Sequence, residues 1–144
     1  MNPESTSQPA VKRRGAVAVI QEGQRVLVIR RSQQVVAPGA YCFPGGAIEP
    51  GESEEVALMR ELREELNVDV LPLRRIWQSV TPWQVELAWW LARLVPGSSP
   101  RAAPAEVESF HWHTLTEMAT LPELLESNRQ FLAAVERGEI SLEA

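Results

Sequence analysis

The chain has a single cysteine among its 144 residues, Cys42, and therefore cannot form an internal disulfide. Small secreted domains that depend on disulfides carry several cysteines in pairs, so a scaffold of that kind is excluded. Because nothing in the sequence requires an oxidising compartment, we expect a cytoplasmic protein. Cys42 itself has no obvious neighbouring base, which favours a small packed side chain over a nucleophile.

No apolar run is long enough to cross a membrane, because charged and polar residues interrupt every hydrophobic stretch. The first nine residues, MNPESTSQP, contain no apolar core of a secretion signal. We therefore expect no membrane partner. The polar, proline-containing residues 1–11 predict a flexible tail, and residues 12–144 have the size and 44% hydrophobic content of one domain.

The chain also has no excess of basic residues, and its net charge is −5. Between Glu49 and Glu65 seven glutamates face only Arg60 and Arg63, while the twelve acidic and twelve basic residues elsewhere cancel. A protein that binds the backbone of a nucleic-acid polymer needs a basic face, so we expect no such partner. The concentrated negative charge instead suggests a site that cations neutralise.

Hydrophobic periodicity and turn residues predict one domain of mixed secondary structure. Two β-rich runs at 16–20 and 25–30 predict a hairpin, and the Gly- and Pro-rich residues 32–52 predict a long functional loop. Ser53 is a plausible N-cap for a helix over 54–66, which Asn67 would end in the left-handed conformation. The rest of the pattern predicts strands near 68–80 and 85–95, a loop over 96–105, a strand near 107–113 and a helix over 121–136.

The predicted central helix gathers carboxylates on one face. At 100° per residue, Glu61, Glu64 and Glu65 fall within an arc of about 100°. The opposite stripe is apolar and is expected to be buried; it consists of Val56, Met59, Leu62 and Leu66. Like charges this close repel by about 1 kcal/mol per pair in water, and a bound Mg²⁺ or Mn²⁺ would relieve the repulsion. The alternative is an ordinary solvated, glutamate-rich helix face.

The residues before the helix make the pattern specific. Gly46, Glu52, Arg60-Glu61-Leu62, Glu64-Glu65 and Val68 stand at the spacing Gly-x5-Glu-x7-Arg-Glu-apolar-x-Glu-Glu-x-Gly-apolar. This resembles the box of the Nudix hydrolase family, with Asn67 in place of the final Gly. Arg30-Arg31 at the end of a strand and Tyr41-x-x-Pro44-Gly45-Gly46 extend the resemblance through the first half of the chain.

The resemblance implies an α/β fold, a single-domain Nudix-type α/β/α sandwich with a mixed β-sheet. It also implies Mg²⁺-dependent hydrolysis of a phosphoanhydride bond in a nucleoside diphosphate linked to another moiety, such as a nucleoside triphosphate or ADP-ribose. The metal ligands it implies are Glu61, Glu64, Glu65 and the Gly45 carbonyl, with Glu61 as ligand or general base. Arg60 would orient the glutamates and Glu52 would support the loop, unless the two form only a loop-tying ion pair.

Candidate substrate-binding and packing residues complete the expectations. Arg30, Gly46 and Trp83 are the candidate substrate-binding residues, Trp83 because it lies beside Pro82 at a turn. Core packing is the expected role of the five tryptophans generally.

Three further residues, Glu106, Glu108 and His111, are candidates for an additional base or ligand. The alternative for His111 is that it has no catalytic role and only lies beside His113 on one face of a strand, exposed or half-buried.

The sequence leaves two functions open, and it does not identify the substrate. One is the hydrolase; the other is a Nudix-fold sensor that binds a nucleotide without cleaving it. The intact Glu61, Glu64 and Glu65 favour the enzyme. The expected partner is a small nucleotide-like molecule, and a homodimer through an exposed tryptophan-bearing strand is one alternative for the oligomeric state.

Overall fold

A computed structural model describes residues 13–143 of the chain, so the tail predicted over residues 1–11 lies outside the described residues. Within this range the order of elements is β1 (Arg13–Glu22), β2 (Arg25–Arg31), β3 (Tyr41–Cys42), β4 (Gly45–Ala47), α1 (Glu54–Leu66), β5 (Val70–Val80), β6 (Val85–Leu94), β7 (Val107–His113), α2 (Leu115–Ala119) and α3 (Glu126–Glu136). None of the helices in the described part is both long and apolar enough to span a membrane.

The strands form one seven-stranded mixed sheet, as the family resemblance implies. β1 pairs in parallel with β6, from Arg13↔Val85 to Ile20↔Ala92, whereas the other pairs are antiparallel. The predicted β1–β2 hairpin is confirmed, with Glu22 opposite Arg25 and Gly23 in the left-handed region at φ 60°. The long parallel β1–β6 ladder forms the centre of the sheet.

β1 and β2 pair only near their hairpin and then separate, and the chain fills the gap that opens between them. β3 pairs with β2 there, and β4 pairs with β1 through Gly15–Val17. The prediction of a continuous loop over 32–52 is therefore wrong at residues 41–42 and 45–47. Their ladders join residues far apart in the sequence, which local periodicity does not report. These pairings place Gly45 and Gly46 beside β1 within the sheet, in contact with α1.

Helix α1 covers one face of the sheet. Its residues that are buried there are Ala57, Leu58, Leu62, Glu65 and Leu66. The predicted apolar stripe is correct for Leu62 and Leu66 but wrong for Val56, which is 48% exposed. Compared with the predicted stripe, the buried face of α1 includes Leu58 in place of Val56. It also includes Glu65, whose side chain points inward against β4.

Helices α2 and α3 cover the other face, so the predicted α/β/α sandwich is confirmed. Their cluster is built around Trp89, Phe131 and Met118, all fully buried. The helix predicted over 121–136 begins only at Glu126, because Glu123 adopts a left-handed φ of 61° and interrupts the chain before it. α2 was not predicted, although Thr114 and Glu117 form a capping box at its start.

Candidate active site

Helix α1 begins and ends where the local sequence predicts. The Ser53 hydroxyl accepts a hydrogen bond from the Val56 N–H at 3.1 Å. Asn67 ends the helix in the left-handed region at φ 54° and ψ 37°, and its N–H donates to the Arg63 carbonyl. These two caps fix which residues of α1 face the Gly45–Gly46 turn.

Glu65 is a buried carboxylate, with only 6% of the residue exposed. Its Oε1 accepts a hydrogen bond from the Gly45 N–H at 2.9 Å. Burial raises the pKa of Glu65 from 4.5 to about 8, an effect that the Gly45 N–H only partly offsets. This side chain therefore holds a proton near neutral pH unless a cation replaces it.

Glu61 lies directly against Gly46. A Cβ atom at Gly46 would sit 2.4 Å from the Glu61 carboxyl group, so any other residue there would force the Glu61 side chain to move. Burial raises the pKa of Glu61 as well, and its hydrogen bond with Arg60 opposes this. Gly45 is equally constrained, because its φ is +149° and a Cβ would lie 2.2 Å from the Ala16 carbonyl oxygen.

Arg60 ties the loop before α1 to the helix. Its Nε and Nη2 donate to the two carboxylate oxygens of Glu52 at 2.7 and 2.9 Å, and Nη2 also donates to the Ala47 carbonyl at 2.8 Å. Its Nη1 donates to Glu61 at 3.0 Å and to Glu64 at 3.2 Å. Both roles considered for Arg60 therefore exist together: a loop-tying ion pair and contacts that orient the glutamates. Arg60 holds the pKa of Glu52 down to about 2.

The donor set fits a hard divalent cation. Glu61 and Glu65 are desolvated carboxylates, the charge of Glu61 raises the pKa of Glu65, and a cation beside them would remove this repulsion. Among residues 13–143 no three acidic, histidine or cysteine side chains are gathered closely enough to chelate one ion as they stand. Glu64, half exposed and bonded to Arg60, would have to turn toward Glu61 and Glu65 to join them.

Two adjoining cavities form a cleft, and Arg31, Val36 and Leu125 line both of them. The first cavity, of about 730 Å³, is also lined by Gly45, Gly46 and Glu52. The second cavity, of about 600 Å³, is also lined by Pro82, Trp83 and Gln130. The cleft thus combines the Gly45–Gly46 turn, an arginine and an apolar, aromatic surface.

The comparison with protein families agrees with this geometry, since the NUDIX domain model matches residues 11–135. The chain belongs to the NUDIX domain family. The residues from Gly46 to Val68, where the sequence predicts the Nudix box, lie within the matched range and include the helix α1.

Two curated bacterial proteins align with parts of this chain. It is 30% identical over 106 residues to the NAD-capped RNA hydrolase NudC of Stutzerimonas stutzeri, an alignment covering 74% of this chain but 38% of that protein. It is 42% identical over 52 residues to the CTP pyrophosphohydrolase of Escherichia coli, covering 36% of this chain and 38% of that protein. The chain thus spans under two fifths of the length of these curated relatives.

Solved structures match the whole Nudix fold. The MutT NUDIX hydrolase of Burkholderia pseudomallei is 27% identical, with a TM-score of 0.68 over 85% of this chain and 97% of that one. The MutT protein of Methanosarcina mazei is 21% identical, with a TM-score of 0.72 over 90% of this chain and 98% of that one.

Of the three candidates outside the Nudix box, the structure brings Glu106 to the site. Its charge raises the pKa of both Glu61 and Glu65. Glu108 and His111 belong to other contacts: Glu108 lies 3.4 Å from Arg30, and the His111 ring lies 2.9 Å from the Ser109 hydroxyl. The expected pairing of His111 with His113 on one face is confirmed, with ring centroids 5.8 Å apart.

The two consecutive arginines of β2 point to opposite faces of the sheet. Arg30 lies over the Tyr41 ring and between Glu108 and Glu123, whereas Arg31 lines the cleft of the Nudix site. Arg31 also lowers the pKa of Glu65. Of the two arginines, the sequence pattern favoured Arg30 for substrate binding, whereas Arg31 is the one that lines the cleft.

The tryptophans divide as expected between core and surface. Trp89 is fully buried, and Trp77, Trp90 and Trp112 pack against the two core clusters. Trp83 is 72% exposed and lines the second cavity of the cleft. Cys42 is buried, and burial raises its thiol pKa to about 12, which agrees with a packing role.

Proposed function

We propose that this protein is a divalent-metal-dependent hydrolase that cleaves a phosphoanhydride bond in a nucleoside diphosphate derivative. The observation that carries the proposal is the buried Glu65 carboxylate, which accepts a hydrogen bond from the N–H of Gly45, a residue that lines the cleft. A buried carboxylate with a pKa of about 8 is costly to ionise and is typical of functional sites. Membership of the NUDIX domain family supports the same reaction class.

Glu61, Glu64, Glu65 and the Gly45 carbonyl would hold Mg²⁺ or Mn²⁺. When bound, the ion would offset the substrate's negative charge and lower the pKa of a water molecule. Arg60 orients Glu61 and Glu64 through its Nη1, and its bonds to Glu52 and Ala47 keep the loop in place. Burial raises the pKa of Glu61, which makes it a stronger base than an exposed glutamate and suits it to accept a proton from attacking water.

Glu106 is the second candidate for proton transfer. It lies near enough to raise the pKa of Glu61 and Glu65, yet it belongs to the segment before β7 and not to the box helix. A carboxylate on a separate element could take the proton while the box glutamates serve as ligands.

Substrate binding follows the cleft. Gly46 permits close approach of a phosphate to the helix, and Arg31, which lines both cavities, offers a guanidinium. Trp83 lines the second cavity and is exposed, so its indole is available to stack on a nucleobase. Arg30 stays a predicted substrate-binding residue, although its observed partners lie outside the cleft.

The test is a substrate panel assayed with Mg²⁺ and with Mn²⁺. It includes nucleoside triphosphates, ADP-ribose, dinucleotide polyphosphates and an NAD-capped oligoribonucleotide, since one relative is named for the last. Glu64→Gln and Glu65→Gln should each lower kcat by several orders of magnitude while circular dichroism stays unchanged. Glu55→Gln is the matched control, because Glu55 is exposed on the same helix; its kcat should equal that of the wild type.

Other outcomes separate the alternatives. Tight nucleotide binding by calorimetry without product from any substrate would favour the non-catalytic sensor. Turnover of the capped oligoribonucleotide alone would contradict the proposed small-molecule substrate. A cytoplasmic location and a homodimer are further proposals; size-exclusion chromatography with light scattering decides the second.

A further inference from the structure

Glu54, in the first turn of α1, makes contacts that its position at a helix end does not require. Its side chain is only 13% exposed. Its Oε2 accepts hydrogen bonds from Arg14 Nη2 at 2.9 Å and from Arg75 Nη1 at 3.1 Å, and its Oε1 accepts one from Trp90 Nε1 at 2.8 Å. The helix dipole favours any acidic residue in this turn but does not account for three directed donors.

The three donors belong to three neighbouring strands. Arg14 lies in β1, Trp90 in β6 and Arg75 in β5, which are adjacent in the sheet. Arg14 also connects to the Nudix loop, because its carbonyl accepts a hydrogen bond from the Ile48 N–H at 2.9 Å. The next residue, Gly15, pairs with Ala47 of β4. Strand β1, whose Arg14 binds Glu54, is thus also the strand that pairs with Gly45 and Gly46 of β4.

Directed contacts matter here because apolar packing alone leaves the helix free to shift. Leu58, Leu62 and Leu66 bury against the sheet, but hydrophobic contact is non-directional and tolerates small sliding along the helix axis. Hydrogen bonds to a fixed carboxylate do not tolerate it. A shift at Glu54 is transmitted to Glu61, about 10 Å along the same rigid helix.

We propose that Glu54 is a positioning residue that locks α1 against β1, β5 and β6. Through this lock Glu61 and Glu65 stay in register with the Gly45–Gly46 turn. The consequence for catalysis rests on the proposed function, whereas the consequence for the geometry of the turn does not.

The first test uses protein without metal. Amide hydrogen exchange at Gly45 reports its bond to Glu65, and exchange at Leu91 in the sheet centre reports global opening. In Glu54→Ala, exchange at Gly45 should rise about tenfold more than exchange at Leu91, whereas Glu55→Ala should leave their ratio unchanged. An unchanged ratio in folded Glu54→Ala overturns the proposal, because Glu54 would then only add stability.

The second test uses the most active substrate, at a temperature where all variants are folded. Glu54→Gln should lower kcat about tenfold with KM nearly unchanged, because a misplacement near 1 Å costs up to about a hundredfold. Glu55→Gln should keep wild-type values. A Glu54→Gln enzyme with wild-type kcat, or with a raised KM alone, contradicts the proposal.

Two further outcomes remain decisive. If Glu54→Ala does not fold, Arg75→Gln removes one donor from a partly exposed side chain, and the same exchange ratio should rise by a smaller factor. If the wild type has no turnover, the proposed function fails, but the exchange measurement at Gly45 still decides the role of Glu54.

Discussion

Replacing Glu65 with glutamine should change how the stability of the metal-free protein depends on pH. Glutamine keeps the size of the side chain and the oxygen that accepts the Gly45 N–H, but it cannot ionise. In the wild type, burial raises the pKa of Glu65 from 4.5 to about 8. The folded protein therefore keeps a proton that the unfolded chain has already lost.

The sign and size of the effect follow from these two values. Stability from the protonated carboxyl is complete below pH 4.5 and is lost as pH rises through about 8. For one proton, the unfolding free energy falls by about 1.4 kcal/mol per pH unit below the folded pKa. Between pH 6 and pH 8 the unfolding free energy of the wild type should therefore fall by about 2 kcal/mol more than that of Glu65→Gln. The glutamine variant should thus gain stability relative to the wild type as pH rises.

Urea unfolding at a series of pH values, in buffer with a chelator, measures this difference. Added Mg²⁺ should restore wild-type stability at pH 8, because it binds the ionised site, and should not stabilise Glu65→Gln. Glu55→Gln controls for loss of an exposed charge on the same helix. If the unfolding free energies of the wild type and Glu65→Gln change in parallel with pH, the raised pKa is refuted. The Glu65 carboxylate would then ionise in the folded protein at little cost.

Three other predictions test separate parts of the site. Gly46→Ala should lower kcat by about tenfold or more, because its Cβ would displace the Glu61 carboxyl; equal kcat in both proteins would contradict this. Trp83→Ala should raise KM by about tenfold with little effect on kcat or melting temperature, and Trp83→Phe should restore KM; a fall in kcat alone would rule out stacking. Glu106→Gln should shift the pH at which the metal-free protein loses stability to a lower value, because the charge of Glu106 raises the pKa of Glu65. An unchanged pH would mean that Glu106 lies too far from Glu65 to affect its pKa.

The Nudix helix could be predicted from the sequence to the residue, because its limits depend on local chemistry. Ser53 supplies a capping hydroxyl and Asn67 tolerates the left-handed conformation, and both act within a few residues of the helix they bound. The pairing of Glu52 with Arg60 was likewise among the expected alternatives. These features can be predicted because they depend only on residues that are close in the sequence.

The remaining features depend on contacts between distant residues. β4 exists because Gly45 and Gly46 pair with β1, about thirty residues earlier, and glycines carry little strand propensity of their own. The burial of Glu65 follows from that pairing, since the Gly45 N–H draws its carboxylate inward. The choice of Arg31 over Arg30 for the cleft required the register of β2, which the sequence alone does not specify.

The central claim is that Glu61, Glu64, Glu65 and the Gly45 carbonyl hold a divalent cation beside the bond that is cleaved. Crystals grown with Mn²⁺ and a non-hydrolysable nucleotide analogue test it most directly through anomalous scattering. We expect an anomalous peak for a manganese ion that is ligated by these carboxylates and by a phosphate oxygen of the analogue. A bound analogue with manganese located elsewhere, or with none at the glutamates, would contradict it.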